Sequence, residues 1–477
     1  MNLEQSSGIS LDDPKFDRLL SNLQANILKF HGRNFAYHLF FKFQEERGTL
    51  ARKWISNFAS SSITSAKRQL TDARDFKCGK LGDGGPVFTL SLSKYGFEKL
   101  ELSGSMPGDK SFASGMKASA DLLHDKPSSW EAGFQKEIDM LVIIADDHDF
   151  NAKNETNKLI TAVSGFASLV KMQRGNVLKM TTGVGIEHFG YADGISQPMY
   201  LSDEINGQSQ PRAWDDETTL GRVLVEEKSE EAGLFGSYLV FRKLEQDVKG
   251  FKVAEKNSIG TGMGLPKVVN SSGTDDDELP GAMIVGRFEN GTPVTMKDGA
   301  FQPDPHNPTN DFSYEDDPGL KCPFYAHVRL MNPRKGDPEA GPADLLLHRI
   351  TRRGMPYDDL VPPRLNDQEV LAITQEMLED RDKPSDGVGL LFMCYQSSIG
   401  NAFEVLQGFW SQGNIAPSPV NKGQDSIIMQ GTEQSRTLPE QWGSANQGNP
   451  FNFSGFVKMK GGEYFFTPSI PFLKKLG

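Results

Sequence analysis

The stretch Ala36–Phe43, AYHLFFKF, and its counterpart Ser237–Lys243, SYLVFRK, are the segments on which the fold reading turns. Both are short runs of aromatic and branched residues, the composition of buried strands. A second pair, Leu141–Ala145 (LVIIA) and Leu390–Tyr395 (LLFMCY), is again too brief for helices. Helix-period stretches such as Phe16–Phe30 and Tyr95–Leu100 lie between such strands. The order strand, helical region, strand in each half predicts an internally duplicated α+β unit.

At roughly 150 residues per domain, 477 residues predict about two or three domains. With 37% hydrophobic and 24% charged residues the chain is neither disordered nor fibrous. Fifty-one Lys and Arg against 63 Asp and Glu give a net charge of −12. That balance argues against nucleic acid or an anionic membrane as partner, since both demand concentrated positive charge. No apolar run approaches the ~18 residues of a membrane span. Cys78, Cys322 and Cys394 lie far apart, with neither a disulfide framework nor a zinc-ligand spacing. Polar residues fill Met1–Asp13, which reads as cytosolic, or as secreted with the signal already removed. The charged and Gly-containing segment Ser202–Gly233 reads as a linker, and the irregular stretch Asn257–Asp317 as a loop that wraps a site.

Among the eight histidines no HExxH pattern occurs, nor is there a GxSxG elbow or a full dinucleotide loop. Three segments carry unusual density of functional residue types. They are Glu187–Pro198 (EHFGYADGISQP), Cys322–Arg334 (CPFYAHVRLMNPR) and Arg349–Tyr357 (RITRRGMPY). Singly, each has an ordinary reading: Asp193 as a turn residue between glycines, His327 as a satisfied structural histidine, the arginine pair as a solvated face.

Together, and with LQANILKFHGR (Leu23–Arg33) and GLLFMCYQSSI (Gly389–Ile399), they resemble the dye-decolourising peroxidases, most of all the larger fungal members. The GxxDG signature falls on Gly190–Gly194, the HxRxxNPR motif on His327–Arg334 and RRGxPY on Arg352–Tyr357; Asp358 stands where the family often has Gly. The resemblance implies an α+β fold of two ferredoxin-like domains, antiparallel sheets flanked by helices as in dimeric α+β barrels, here over residues 1–215 and 216–477. It implies haem b, with His327 as the iron ligand and Asp425 as a carboxylate on its other ring nitrogen. Arg329 is expected to meet a haem propionate, and Leu390 and Phe392, at strand spacing, to wall the distal pocket.

By the same resemblance Asp193 and Arg352 act on hydrogen peroxide, with Arg352 preferred to Arg353 on motif alignment. A free carboxyl titrates near 3.9 and imidazole near 6.5, so an Asp base predicts activity at about pH 4–5. Dyes and phenolics exceed a buried pocket, so a surface oxidation site is expected at Trp410, with Tyr357 as companion. The expected partners are peroxide and one-electron donors, on a secreted monomer or homodimer. The alternative is a non-catalytic haem-binding or haem-processing protein on the same fold; a carrier would need only His327 and a pocket.

Overall fold

The computed structural model describes residues 2–4, 8–207, 218–256, 264–300, 310–334, 337, 347–360, 372–373, 383–414 and 422–477. Four strands come from the first half: β1 (Phe35–Phe43), β2 (Val87–Leu92), β3 (Met140–Asp146) and β4 (Ala167–Asn176). Five more are β5 (Phe235–Gln246), β6 (Thr351–Arg352), β7 (Met355–Asp358), β8 (Val388–Gln396) and β9 (Val457–Thr467). They run β7-β8-β5-β9-β2-β3-β1-β4, with β6 on β8 and Val225–Glu226 on β5, as one ten-stranded sheet whose neighbours all pair antiparallel.

β1 is buried on both faces, which is why its sequence, apart from His38 and Lys42, is apolar rather than alternating. One face, His38 and Phe40, meets Phe241 of β5 inside the curled sheet. The other carries Tyr37, whose hydroxyl donates to Asp149 (3.1 Å) at the start of the helix Asp149–Val163 that covers the sheet. The two halves meet at a narrow seam, where β9 and β2 share the single register pair Phe466 and Leu92. Side chains reinforce it: Ser91 and Thr467 hydroxyls bond at 2.7 Å, and Gln24 donates to the carbonyls of Leu90 and Pro468. At the far edges the sheet curls until β4 meets β7 and β8. A Cβ on Gly175 would come within 2.7 Å of Met355 Cγ, so a larger residue there would have to push that side chain aside.

Two expectations are corrected. The Phe16–Phe30 helix stops at Asn22, because Gln24 is drawn into the seam and Asn26 turns left-handed at φ 69°. Ser202–Gly233 is not a free linker in its described part, since Leu220, Val223 and Leu224 are buried in the core. The boundary expected at residue 215, and Trp214 and His306, lie outside the described residues.

Candidate active site

His327 opens a five-residue helix, His327–Met331. Its Nδ1 lies 2.7 Å from Asp425 Oδ2, and Asp425 is fully buried. The other carboxylate oxygen accepts the amides of Ile427 (2.7 Å) and Ile428 (3.1 Å), which fixes the group's orientation. With this carboxylate as its acceptor Nδ1 carries a proton, and Nε2 is the ring nitrogen left to meet a ligand. Burial disfavours the imidazolium, but the charge and hydrogen bond of Asp425 outweigh it and hold the His327 pKa above its ordinary value. Nε2 has no hydrogen-bond partner among the described residues. A quarter of the His327 side chain is accessible.

Arg352 and Asp193 are close enough to His327 for their charges to act on it. They form their own pair, Arg352 Nη1 to Asp193 Oδ1, at 3.7 Å. Asp193 sits in a loop that turns through Gly190 (φ 97°) and Gly194 (φ 80°), conformations glycine adopts without strain. Its Oδ1 accepts the Gly194 amide at 2.6 Å. Arg352 donates from Nη2 to Ile195 O (2.7 Å) and from its backbone N–H to Gln197 Oε1 (3.1 Å), which binds the arginine strand to the loop. Arg353 points the opposite way. Its guanidinium donates to the carbonyls of Asn26, Ile27 and Arg352, so Arg352 is the arginine that pairs with Asp193.

Leu390 and Phe392 share one face of β8 and stay partly accessible, whereas Leu391 and Met393 are wholly buried on the other. Ile195 and Ile350 are likewise partly accessible. Apolar surface left accessible inside a protein suits a flat apolar ligand. Under the same loop Glu187 accepts from the amides of Phe189 and Tyr191 and from Gln246. Burial pushes its pKa up to about 7, those hydrogen bonds oppose the rise, and the charge of Asp193 adds to it.

Three expected roles are corrected. Arg329 is not free for a propionate: its five N–H groups are committed to Asp337, Asp317 and the carbonyls of Cys322 and Asp317. Trp410 is no surface residue, being 2% exposed, packed on Leu330 and Leu406 and edge-on to His348. It is the preceding Phe409 that faces solvent, at 46%. Tyr357 is fully buried with Lys243 Nζ 4.5 Å from its ring centroid, so it too lacks contact with solvent. The sequence reading singled out neither Ser196 nor Arg334, although both stand inside the quoted motifs and bond to each other at 3.2 Å. A left-handed serine leaves no mark on the sequence.

An imidazole held by a buried carboxylate, with a second carboxylate and a guanidinium near enough for their charges to act on it, is a set of groups suited to a haem peroxidase site. The chain belongs to the dye-decolourising peroxidase family. A family model for the DyP dimeric alpha+beta barrel domain matches residues 22–178. The multifunctional dye peroxidase DyP2 of Amycolatopsis sp. is 35% identical over 478 residues, 96% of either chain. A DyP-type peroxidase structure from Anabaena sp. superposes with a TM-score of 0.86 at 36% identity, covering 100% of this chain and 98% of the other. The dye-decolourising peroxidase of the fungus Mycena epipterygia is 28% identical, over 94% of this chain and 85% of its own. The expected likeness to fungal members is thereby corrected, since bacterial relatives are the more similar of these. A family structure in complex with 2,6-dimethoxyphenol superposes at a TM-score of 0.75 with 28% identity, over 95% of this chain and 98% of that one.

Enzymes of this family are haem proteins, and the residues here fit that group. One imidazole is oriented by an anchored carboxylate, and Ile195, Ile350, Leu390 and Phe392 keep apolar surface accessible. Among the described residues no helix is long and apolar enough to cross a membrane.

Proposed function

We propose that this protein is a peroxidase that binds haem b through His327 and uses hydrogen peroxide to oxidise dyes, phenolics and other one-electron donors. The observation that carries the reading is the Asp193–Arg352 pair, which lies close enough to His327 for its charges to act on the imidazole. When bound, haem supplies an iron centre that exchanges electrons with peroxide and with the donor.

The chain's own residues supply the rest. Asp193 takes a proton from the near oxygen of peroxide and returns it to the departing one, directly or through water. The Arg352 guanidinium stabilises negative charge on the departing oxygen. Asp425 keeps the His327 proton on Nδ1, so that Nε2 remains a donor of electron density. The family structure with a dimethoxyphenol supports phenolic donors. Since Trp410 and Tyr357 are both buried, a role in oxidising bulky dyes requires them to relay electrons rather than touch the dye. A haem carrier needs no acid and guanidinium opposite its ligand, and their retention favours catalysis.

The test is rapid mixing of the haem-loaded protein with peroxide at about pH 4–5, comparing wild type with Asp193→Asn and Arg352→Leu. Loss of positioned proton transfer or charge stabilisation predicts a reaction about 10²–10⁴-fold slower in at least one variant. Wild-type rates in both variants would remove the assignment, and a wild type that takes up no haem would remove the reading altogether.

A further inference from the structure

Beyond Asp193, one residue of the same loop stands in a conformation that its type does not favour. Ser196 adopts φ 61°, the left-handed region seldom entered by residues other than Gly, Asn and Asp. Its surroundings hold it there. A serine hydroxyl offers one donor and two lone pairs, and here all three are used. It donates to Asn310 Oδ1 and accepts from Arg334 Nη2 (3.2 Å) and Arg287 Nη2 (3.3 Å). Both guanidiniums also reach Asn310 Oδ1, at 2.8 and 3.1 Å, and both lie over the Phe312 ring, which shields them from water. The Ser196 carbonyl accepts from Asn332 Nδ2 at 3.3 Å.

The origin of these partners gives the arrangement its meaning. Asn332 and Arg334 directly follow the helix that His327 begins. On either side of Ser196, Ile195 O and Gln197 Oε1 are bonded to Arg352. Three consecutive residues, 195–197, therefore tie the distal arginine to the segment that carries the proximal histidine, and Asp193 lies two residues before them. Elsewhere in the described structure the two sides of the cleft are carried by separate elements, β6 and the helix at His327.

We propose that Ser196 is a positioning residue that sets the separation between the His327 imidazole and the Asp193–Arg352 pair. The proposal rests on the peroxidase reading, in which that separation must accommodate a haem and a small ligand. Serine suits the place because its short hydroxyl reaches both arginines from a left-handed backbone. Threonine would add a β-branch that this conformation disfavours, and alanine would leave buried guanidinium N–H groups short of an acceptor.

The test uses the haem-loaded protein and cyanide, with Ser196→Gly and Ser196→Ala. Glycine enters the left-handed backbone without strain and removes the hydroxymethyl group. Hydrogen cyanide must leave its proton on the distal side and hold its anion beside the guanidinium, so its Kd, read from the Soret band, reports the cleft geometry without turnover. A misplaced distal pair predicts a cyanide Kd about 10–100-fold higher in both variants, with haem uptake retained. A Kd within about twofold of wild type in Ser196→Gly overturns the proposal, whatever happens to the melting temperature. If Ser196→Ala does not fold, Ser196→Gly decides alone. A wild type that binds haem and cyanide, beside a Ser196→Gly that matches it, sinks this proposal only; a wild type that binds no haem sinks the peroxidase reading.

Discussion

Replacing Asp425 by asparagine changes one oxygen to an amide nitrogen without changing shape, and the structure leaves that amide no good orientation. If its oxygen stays on the amides of Ile427 and Ile428, its N–H faces His327 Nδ1. The imidazole must then move its proton to Nε2, the nitrogen that has to meet the iron. If the amide flips, its oxygen accepts from Nδ1 but its N–H groups oppose two buried backbone donors. Each buried donor left unsatisfied costs about 1–3 kcal/mol, and the charge-assisted bond that is lost is worth about 1.5–3 kcal/mol. A penalty of about 1.4–2.8 kcal/mol on ligation corresponds to about 10–100-fold in affinity, the usual effect of removing a partner of a ligating histidine. The assay is haem titration of the apoprotein followed by its Soret band, wild type against Asp425→Asn. Equal affinities would refute the reasoning, because they would mean that the Nδ1 proton is held without the carboxylate.

Two further outcomes are expected. Arg329→Met removes the cation between the buried carboxylates of Asp317 and Asp337, and breaking such a buried pairing should cost about 3–5 kcal/mol in denaturant unfolding. Haem affinity lowered without loss of stability would instead return Arg329 to a propionate. His38 is buried between β1 and β5, and burial lowers its pKa to about 4, partly offset by its hydrogen bond to Gln173 O. Its neutral form is favoured in the fold, so its contribution is complete above the ordinary value of about 6.5 and fades as pH falls toward 4. Wild type should therefore lose up to roughly 3 kcal/mol more than His38→Leu between pH 7 and pH 4. Parallel losses in both proteins, measured by urea unfolding at each pH, would contradict this.

The strand segments were legible because a strand buried on both faces is mostly apolar rather than alternating, as Phe35–Phe43 is apart from His38 and Lys42. The short helix at Lys94–Lys99 likewise falls where the Tyr95–Leu100 period places it. The helix expected across Phe16–Phe30 failed for a tertiary reason: Gln24 bonds to Leu90 and Pro468, residues remote in sequence, and local periodicity carries no trace of them. Trp410 failed similarly. An aromatic residue beside a second aromatic looks the same in sequence whichever of the two turns inward, and here Phe409 faces solvent while Trp410 packs on Leu330.

Residue type and spacing by themselves determined the α+β class, the sign of the net charge and the three segments where chemistry is concentrated. What each group does there was decided only by folding. The partnership of His327 with Asp425 spans 98 residues, and the choice between neighbouring Arg352 and Arg353 depends on which one finds Asp193 and which finds the carbonyls of Asn26 and Ile27. Arg329 carries the right charge for a propionate, yet Asp317 and Asp337 claim it first. Charge and hydrogen-bonding capacity belong to the residue, but the partner that uses them is set by distances of a few ångströms that only the assembled chain creates.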